Sequence, residues 1–334
     1  MRVTLKHVAE LAGVSTSAVS RAFTEGASVS DATRQKVHLA AERLGYQPNA
    51  LASGLTTGRT KLIGLISNNF HNPIFLEVFD RFTRGLQEKR LRPLVLNLTE
   101  DIGRQSSVQM LRQYSVDGVI VASSTLAPDF ALAFRDAGLP VVHAFGRWRA
   151  EPEIDVVGID NVACGALAAR TLIARGYRRI AFLGGPREAT STQDRLLGFL
   201  LEAEKNSDIE ISHSFAHAYA FEAGRQEMKR ILTGGPAEAY FCGDDVLSIG
   251  AISALHDAGY RVPEDVGVVG LNDMEMARWG SIDLTTIHQP LGPIIEASID
   301  RVSALVDGVV RPPVSQLFTC HLVERGTLRR SKPS

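Results

Sequence analysis

The sequence predicts an N-terminal all-α headpiece followed by an α/β body of two doubly wound parallel-sheet subdomains. Three observations carry that prediction. Residues 1–60 hold short amphipathic helical patterns and no β-branched strand run. The remainder alternates short β-branched runs with helical stripes, which implies parallel strands covered by helices on both faces. The repeats are too many for one compact unit, so the body divides in two with a cleft between its halves. A length of 334 residues leaves room for two or three domains.

The headpiece comes first. Leu5, Val8, Ala9 and Ala12 fall at helical spacing, and Gly13 ends that helix. Ser15 is placed to cap a second helix with Val19 and Ala22 on its buried side. Ser30 is placed to cap a third, with Val37, Ala40, Ala41 and Leu44 on one face and Gly45 as its stop. The spacing Ala9-x3-Gly13-x5-Val19 suits a helix-turn-helix: a small residue at the crossing, a flexible one in the turn, a β-branched one holding the second helix down. That leaves Thr16, Ser17, Ser20 and Arg21 on the outer face. Short hydroxyl side chains with one guanidinium suit a helix entering a DNA major groove. A three-helix cap that binds nothing is the competing reading; the basic, non-apolar outer face argues against it.

Charge supports the division. The whole chain is −1, yet residues 1–61 carry eight basic and four acidic side chains, and the remainder is correspondingly acidic. A basic module on an acidic body suits polyanion binding.

Residues 46–61 follow, with Pro48 at the first turn of a short helix holding Ala50, Leu51, Ala52 and Leu55. A helix of roughly eight residues is marginal alone in water. A hinge that orders on DNA and wedges Leu55 into a minor-groove step is one reading. An ordinary linker with one stray leucine is the other, and sequence physics alone leaves both standing.

In the body, strands are expected at 62–67, 93–98, 118–122, 141–145, 156–159, 179–183, 239–242 and 266–271. Helices are expected near 74–86, 101–114, 129–138, 161–175, 193–204, 221–232, 245–258 and 292–307. Ligands in such folds sit beyond the carboxyl ends of the strands. Candidate site segments are therefore 68–75, 123–124, 145–147, 184–195, 243–245 and 272–273.

Catalytic and cofactor motifs are poorly represented. The first strand ends in Ser67-Asn68-Asn69-Phe70-His71 rather than a glycine fingerprint, and no phosphate-loop, zincin or nucleophile-elbow pattern occurs. Gly184-Gly185-Pro186 reads as a cleft-lining turn more readily than a phosphate cradle. Asp244-Asp245 resembles a metal pair but lacks a third hard ligand, so one carboxylate is expected to cap the next helix and the other to face ligand. No cofactor, metal or catalytic residue is expected. Cys164, Cys242 and Cys320 are odd in number and far apart, which fits a reducing compartment. With no spanning-length apolar run and no secretory signal, a cytoplasmic protein is expected.

The chain resembles the LacI/GalR family of bacterial transcriptional regulators over nearly its whole length. Matching segments include Thr4-Leu5-Lys6-His7-Val8-Ala9, Gly13-Val14-Ser15, Val19-Ser20-Arg21, Leu44-Gly45-Tyr46-x-Pro48-Asn49, Ile159-Asp160-Asn161, Arg195-x-x-Gly198-Phe199 and Leu284-Thr285-Thr286-Ile287-His288-Gln289-Pro290. The resemblance implies a headpiece over 1–47, a hinge over 48–60, and a periplasmic-binding-protein-like ligand-binding and dimerisation body over 61–334. Its N-subdomain would cover about 61–159 plus 289–317, and its C-subdomain about 160–288 plus 318–334. It implies a homodimer reading a pseudo-palindromic double-stranded DNA operator, with paired hinge helices opening the minor groove through Leu55. Thr16, Ser17 and Arg21 would read bases, and Ser15, Ser20, Ser30, Thr33 and Asn49 would contact the DNA backbone. Matching positions place a small-molecule effector, a sugar or sugar derivative, against Phe75, Ser124, Phe145, Arg195, Tyr219, Asp244 and Asn272. Departures fall in this lining: Asp244-Asp245 stands where many relatives have Asn-Asp, and Leu271-Asn272 where many have an aromatic followed by Asp. The implied function is a repressor whose operator affinity the effector controls. The rivals are a solute-binding protein with no DNA role, which has no use for a basic helix-turn-helix, and a Rossmann-type enzyme, which lacks its phosphate fingerprint.

Overall fold

The computed structural model describes residues 3–24, 26–47, 54, 58–98 and 103–330. The chain separates into two compact units, Met1–Lys61 and Leu62–Ser334.

Among its described residues the first unit holds the helices α1 (Leu5–Ala12), α2 (Thr16–Phe23) and α3 (Asp31–Leu44). Gly13 sits at φ +66°, a left-handed conformation that costs a residue with a Cβ but not glycine. Its place in the turn lets the Val14 N–H reach back to the Ala9 carbonyl at 3.0 Å. Ser15 Oγ accepts from the Ala18 N–H at 3.2 Å, and Ser30 Oγ from the Thr33 N–H at 3.3 Å, so both serines cap helices as the sequence predicts. Val8, Ala9, Val19, Ala22, Val37, Ala40 and Ala41 form one small core, edged by Val14, Phe23, Leu44 and Tyr46. Arg34 clamps the loop after α2, donating to the carbonyls of Ala22 (2.8 Å) and Ala27 (3.3 Å).

The body contains two six-stranded sheets. In chain order its elements are β1 (Leu62–Ser67), α4 (Ile74–Glu88), β2 (Arg92–Asn97), α5 (Arg104–Gln113), β3 (Gly118–Ala122), α6 (Pro128–Asp136), β4 (Val141–Ala144) and β5 (Asp155–Ile159). There follow α7 (Asn161–Ala174), β6 (Arg179–Gly184), α8 (Thr190–Ala203), β7 (Glu210–Phe215), α9 (Phe221–Leu232), β8 (Ala239–Cys242), α10 (Asp245–Asp257) and β9 (Gly267–Asn272). A 3-10 turn (Glu275–Arg278), β10 (Thr286–His288), α11 (Leu291–Val306), β11 (Ser315–Phe318) and β12 (His321–Val323) complete it. The first sheet has the order β11-β5-β4-β3-β1-β2 and the second β12-β10-β9-β8-β6-β7.

Central strands such as Val119–Ala122 and Val268–Val269 are fully buried, as continuous apolar runs require when helices cover both faces. All pairings are parallel except β10 with β12, where Ile287 pairs antiparallel with Leu322. That antiparallel edge was not anticipated from the strand–helix alternation. The strands without a sequence expectation, β7, β10, β11 and β12, lie at a sheet edge or are only three or four residues long. β7 reads Glu210-Ile211-Ser212-His213-Ser214-Phe215 with a mostly polar, exposed outer side, so it lacks the apolar run that marks a buried strand.

The chain crosses between the two lobes three times. It leaves β5 for α7, leaves β10 for α11 (which packs on β3, β4, β5 and α4), and leaves β11 for β12. Among the described residues no helix is long and apolar enough to cross a membrane.

Candidate functional site

The cleft between the lobes is built from the segments that follow the strands. Asn69 and Asn72 follow β1, Ser124 follows β3, Phe145 follows β4, and Asn161 follows β5. From the second lobe come Tyr219 after β7, Asp244 after β8, Asn272 at the end of β9 and Gln289 after β10. Phe75 and Val78 project from α4 and Arg195 from α8. All seven residues assigned to a ligand on sequence grounds line this one cavity: Phe75, Ser124, Phe145, Arg195, Tyr219, Asp244 and Asn272. Its volume is about 30 Å³. That is room for about two waters, so a ligand of sugar size requires the lobes or side chains to move apart.

Asp244 is the polar centre. Its Oδ1 accepts from the Val246 N–H at 2.8 Å, capping α10. Its Oδ2 accepts from Asn272 Nδ2 at 2.7 Å and from Asn72 Nδ2, across the cleft, at 2.9 Å. Burial pushes its carboxyl up to about 6, against those hydrogen bonds and the nearby Arg195 charge. Sequence reasoning divided capping and ligand contact between Asp244 and Asp245. Asp244 instead does the capping and also lines the cavity. Asp245 is fully buried behind it, accepting from Thr286 Oγ1 at 2.5 Å and the Met274 N–H at 2.8 Å, and burial pushes it up to about 7.

Arg195 reaches the cavity because α7 and α8 almost touch. A Cβ on Gly198 would lie 1.9 Å from the Val162 carbonyl oxygen, and one on Gly165 would lie 2.0 Å from that of Arg195. Only glycine permits that approach. Arg195 Nε donates to Asn161 Oδ1 at 2.8 Å and Nη1 to the Gly243 carbonyl at 2.5 Å. The guanidinium is thus fixed in orientation, and among the described residues Nη2 has no partner. Tyr219 is held by a 2.7 Å hydrogen bond with Thr192 Oγ1, its ring against Gly185, where a Cβ would come within 2.5 Å. The Gly184-Gly185 turn therefore makes room for an aromatic wall.

Backbone strain concentrates here. Phe145 (φ +64°), Asn272 (φ +126°) and Asp273 (φ +59°) all hold conformations unfavourable for residues with a side chain. Further ties bridge the cleft: Arg147 pairs with Asp194, and the Ser124 carbonyl accepts from Thr190 Oγ1 at 3.3 Å and from the Ser191 N–H at 3.4 Å. His143 lies beneath this rim, fully buried and kept neutral, its pKa lowered to about 4 by burial while Nε2 donates to the Ser123 carbonyl at 2.9 Å. Among the described residues no group of three His, Cys, Asp or Glu is arranged to hold a metal ion.

The ligand positions named on sequence grounds leave out Asn69, Asn72, Asn161 and Gln289, which also line the cavity. Asn69 and Asn72 fall in the segment expected after β1 and Asn161 follows an expected strand, whereas Gln289 follows β10, which carried no strand expectation; the seven named positions rest on the family resemblance.

In the headpiece, Ser15, Thr16, Ser17 and Arg21 are exposed and Ser20 half-buried on or beside α2. Arg21 Nε rests on the Ser17 carbonyl at 3.3 Å. Ser30 is exposed and Thr33 half-buried at the start of α3, their hydroxyls 2.9 Å apart. These two helix N-termini present hydroxyls and first-turn backbone amides of the kind that suit phosphate oxygens. Asn49 and Leu55, and the hinge helix assigned to them, lie outside the described residues.

Comparison with known proteins settles the family. A model described as "Bacterial regulatory proteins, lacI family" matches residues 4–49, and one for a periplasmic binding protein-like domain matches residues 169–328. The chain is 35% identical over 294 residues to the HTH-type transcriptional repressor PurR of Pectobacterium carotovorum subsp. carotovorum, covering 86% of this chain and 85% of that protein. It is 32% identical over 333 residues to the ribose operon repressor of Escherichia coli, covering 97% and 99%.

The chain belongs to the lacI family of bacterial regulatory proteins.

Its fold also matches the crystal structure of the Lac repressor dimer bound to operator and the anti-inducer ONPF, with a TM-score of 0.87, 28% identity and coverage of 98% and 99%. Within this lacI-family chain the first match takes in the whole helix-turn-helix and Asn49 and stops short of Leu55. The second begins inside α7 and ends beyond β12, so it spans the second sheet together with β11 of the first.

Proposed function

We propose that this chain is a cytoplasmic, homodimeric repressor that binds a pseudo-palindromic DNA operator and changes its affinity when a polyhydroxylated small molecule occupies the cleft. The parts are a headpiece over 1–47, a hinge over 48–60 and a body over 61–334. The observation that carries the ligand class is the cavity lining. Five carboxamides (Asn69, Asn72, Asn161, Asn272, Gln289), Ser124, one guanidinium and one carboxylate face three aromatic rings. Carboxamides both donate and accept, which matches hydroxyl groups, and aromatic faces stack on the apolar face of a sugar ring. A strongly charged ligand would meet only the nearly balanced pair Arg195 and Asp244.

Thr16, Ser17 and Arg21 would read bases, and Ser15, Ser20, Ser30, Thr33 and Asn49 would hold phosphates, with Leu55 opening the minor groove. Ligand contacts fall to Phe75, Ser124, Phe145, Arg195, Tyr219, Asp244 and Asn272. No catalytic role is assigned to any of them; relatives of this chain carry the name repressor. Two headpieces together supply enough positive charge for a salt-sensitive grip on phosphate. The expected coupling between cleft and operator is about 1–3 kcal/mol.

Two measurements test this. Selection from a random duplex library should recover a two-fold symmetric site. Thermal-shift screening against pentoses, hexoses, polyols and purine bases should single out a polyol or sugar. Recovery of no duplex above background overturns the repressor reading; a shift with a purine base alone overturns the ligand class.

A further inference from the structure

Cys164 and Cys320 take no part in the proposed ligand response, yet they meet at the joint between the lobes. Cys164 lies in the first turn of α7, 2% exposed, its N–H bonded to the Asp160 carbonyl at 3.0 Å. Cys320 lies in the two-residue link by which the chain leaves β11 in the first sheet and enters β12 in the second. Its side chain is half-buried and packs on the core that contains Cys164. Phe318 of β11 pairs with Ile159 of β5, so the link that carries Cys320 leaves the sheet beside the start of α7, and the two thiols interact. One cysteine thus follows the first crossover and the other forms part of the third.

The electrostatics of the pair are unequal. The interaction with Cys320 lowers the Cys164 thiol pKa against the cost of burial, and the Arg195 charge adds to the lowering. The same interaction and burial raise Cys320. Cys164 also sits at the amino end of a 14-residue helix, where the backbone dipole favours a thiolate. Cys242 contrasts with both: it is fully buried on β8 and burial pushes its thiol up to about 12.

We propose that Cys164 and Cys320 form a reversible intramolecular disulfide under hydrogen peroxide, stapling two of the three crossovers and holding the lobes at one opening. The Cys164 thiolate attacks one peroxide oxygen. The O–O bond breaks, a sulfenic acid forms on Cys164, and the departing hydroxide leaves as water after taking a proton. The Cys320 sulfur then attacks the sulfenic sulfur. The S–O bond breaks, and hydroxide leaves with the Cys320 proton as a second water. Two thiols lose two electrons, and one peroxide becomes two waters.

The test uses full-length protein, reduced, desalted and treated with hydrogen peroxide. Thiols that react with N-ethylmaleimide after unfolding should fall from the three of the sequence to one. The intact monomer should lose about 2 Da, peptide mapping should show residue 164 linked to residue 320, and dithiothreitol should reverse all of it. Cys242→Ser should behave as wild type, and Cys320→Ser should not form the link. Amide exchange at residues 159–161 and 318–321 should slow roughly tenfold on oxidation of the wild type and not of Cys320→Ser. Three reactive thiols after treatment, or a link only between chains, overturns the disulfide. A 164–320 link with unchanged exchange at the crossovers overturns the staple. Should Cys164→Ser fail to fold, the half-buried Cys320→Ser carries the comparison.

Discussion

Asn72 and Asp244 face each other across the cleft and share a hydrogen bond of 2.9 Å, from Nδ2 to Oδ2. The same Asp244 oxygen accepts from Asn272 of its own lobe. A ligand hydroxyl that donates to this oxygen must therefore compete with Asn72, so ligand contact and lobe closure meet at a single atom. A hydrogen bond to an ionised carboxylate contributes about 1.5–3 kcal/mol. Asn72→Ala should remove one closing tie and leave Asp244 held by Asn272 and Val246. The expected result is a larger radius of gyration in solution scattering and a melting temperature lower by a few degrees, since Asn72 also accepts from the Ile74 N–H. An unchanged radius would show that Asn72 does not hold the lobes together.

Arg195 has two of its nitrogens committed to Asn161 and Gly243, which leaves Nη2 for ligand. Arg195→Lys keeps the charge that balances Asp244 but loses the planar fork. Ligand affinity should fall at least roughly tenfold while operator binding stays within about twofold, as read by calorimetry and gel shift. Equal loss of both functions would place Arg195 in the fold rather than in the ligand site.

Arg21 is the long cationic side chain on the exposed face of α2. Arg21→Ala should cost about 1–3 kcal/mol on the selected operator and much less on random duplex. A uniform loss on both, with a shallower salt dependence, would reduce it to a phosphate contact.

Gly198 and Gly165 set the spacing of α7 and α8. Gly198→Ala would drive a methyl group into the Val162 carbonyl, and the helices would have to separate. The expected destabilisation is about 3 kcal/mol in urea unfolding, with Arg195 displaced and ligand affinity reduced. Wild-type stability in this variant would mean that the helices have slack at their crossing.

The buried Asp245 carboxyl titrates near 7 because burial disfavours its charge. In the unfolded chain it titrates near the ordinary carboxylate value, so between about pH 4 and 7 the folded state holds the extra proton. Folding is thus favoured at the acid end of that window, and the advantage disappears as pH rises through 7. Between pH 5 and 8 the wild type should lose about 2–3 kcal/mol relative to Asp245→Asn, whose side chain does not titrate. A difference independent of pH would mean that Asp245 stays ionised throughout. The comparison with the variant also removes the opposite contribution of His143, whose depressed pKa costs stability as pH falls from about 6.5 toward 4.

The sequence by itself determined the headpiece, most strand positions and the residues at strand ends. These are local properties. Gly13, Ser15 and Ser30 act within one turn of their own position, and an apolar run marks a central strand wherever it lies. The strand-end rule marked the segments that hold Phe75, Ser124, Phe145, Arg195, Asp244 and Asn272, because parallel strands present their carboxyl ends on one side, while Tyr219 came only from the family resemblance. Only the tertiary structure decided how the two lobes meet. The Asn72 contact with Asp244, the Gly165 and Gly198 crossing, and the pairing of Cys164 with Cys320 each join residues remote in sequence. No pattern within a window reports such pairs, because their energy exists only once both sheets have formed. The division of labour between Asp244 and Asp245 went the same way: adjacent, chemically identical residues differ only in what the fold places against them.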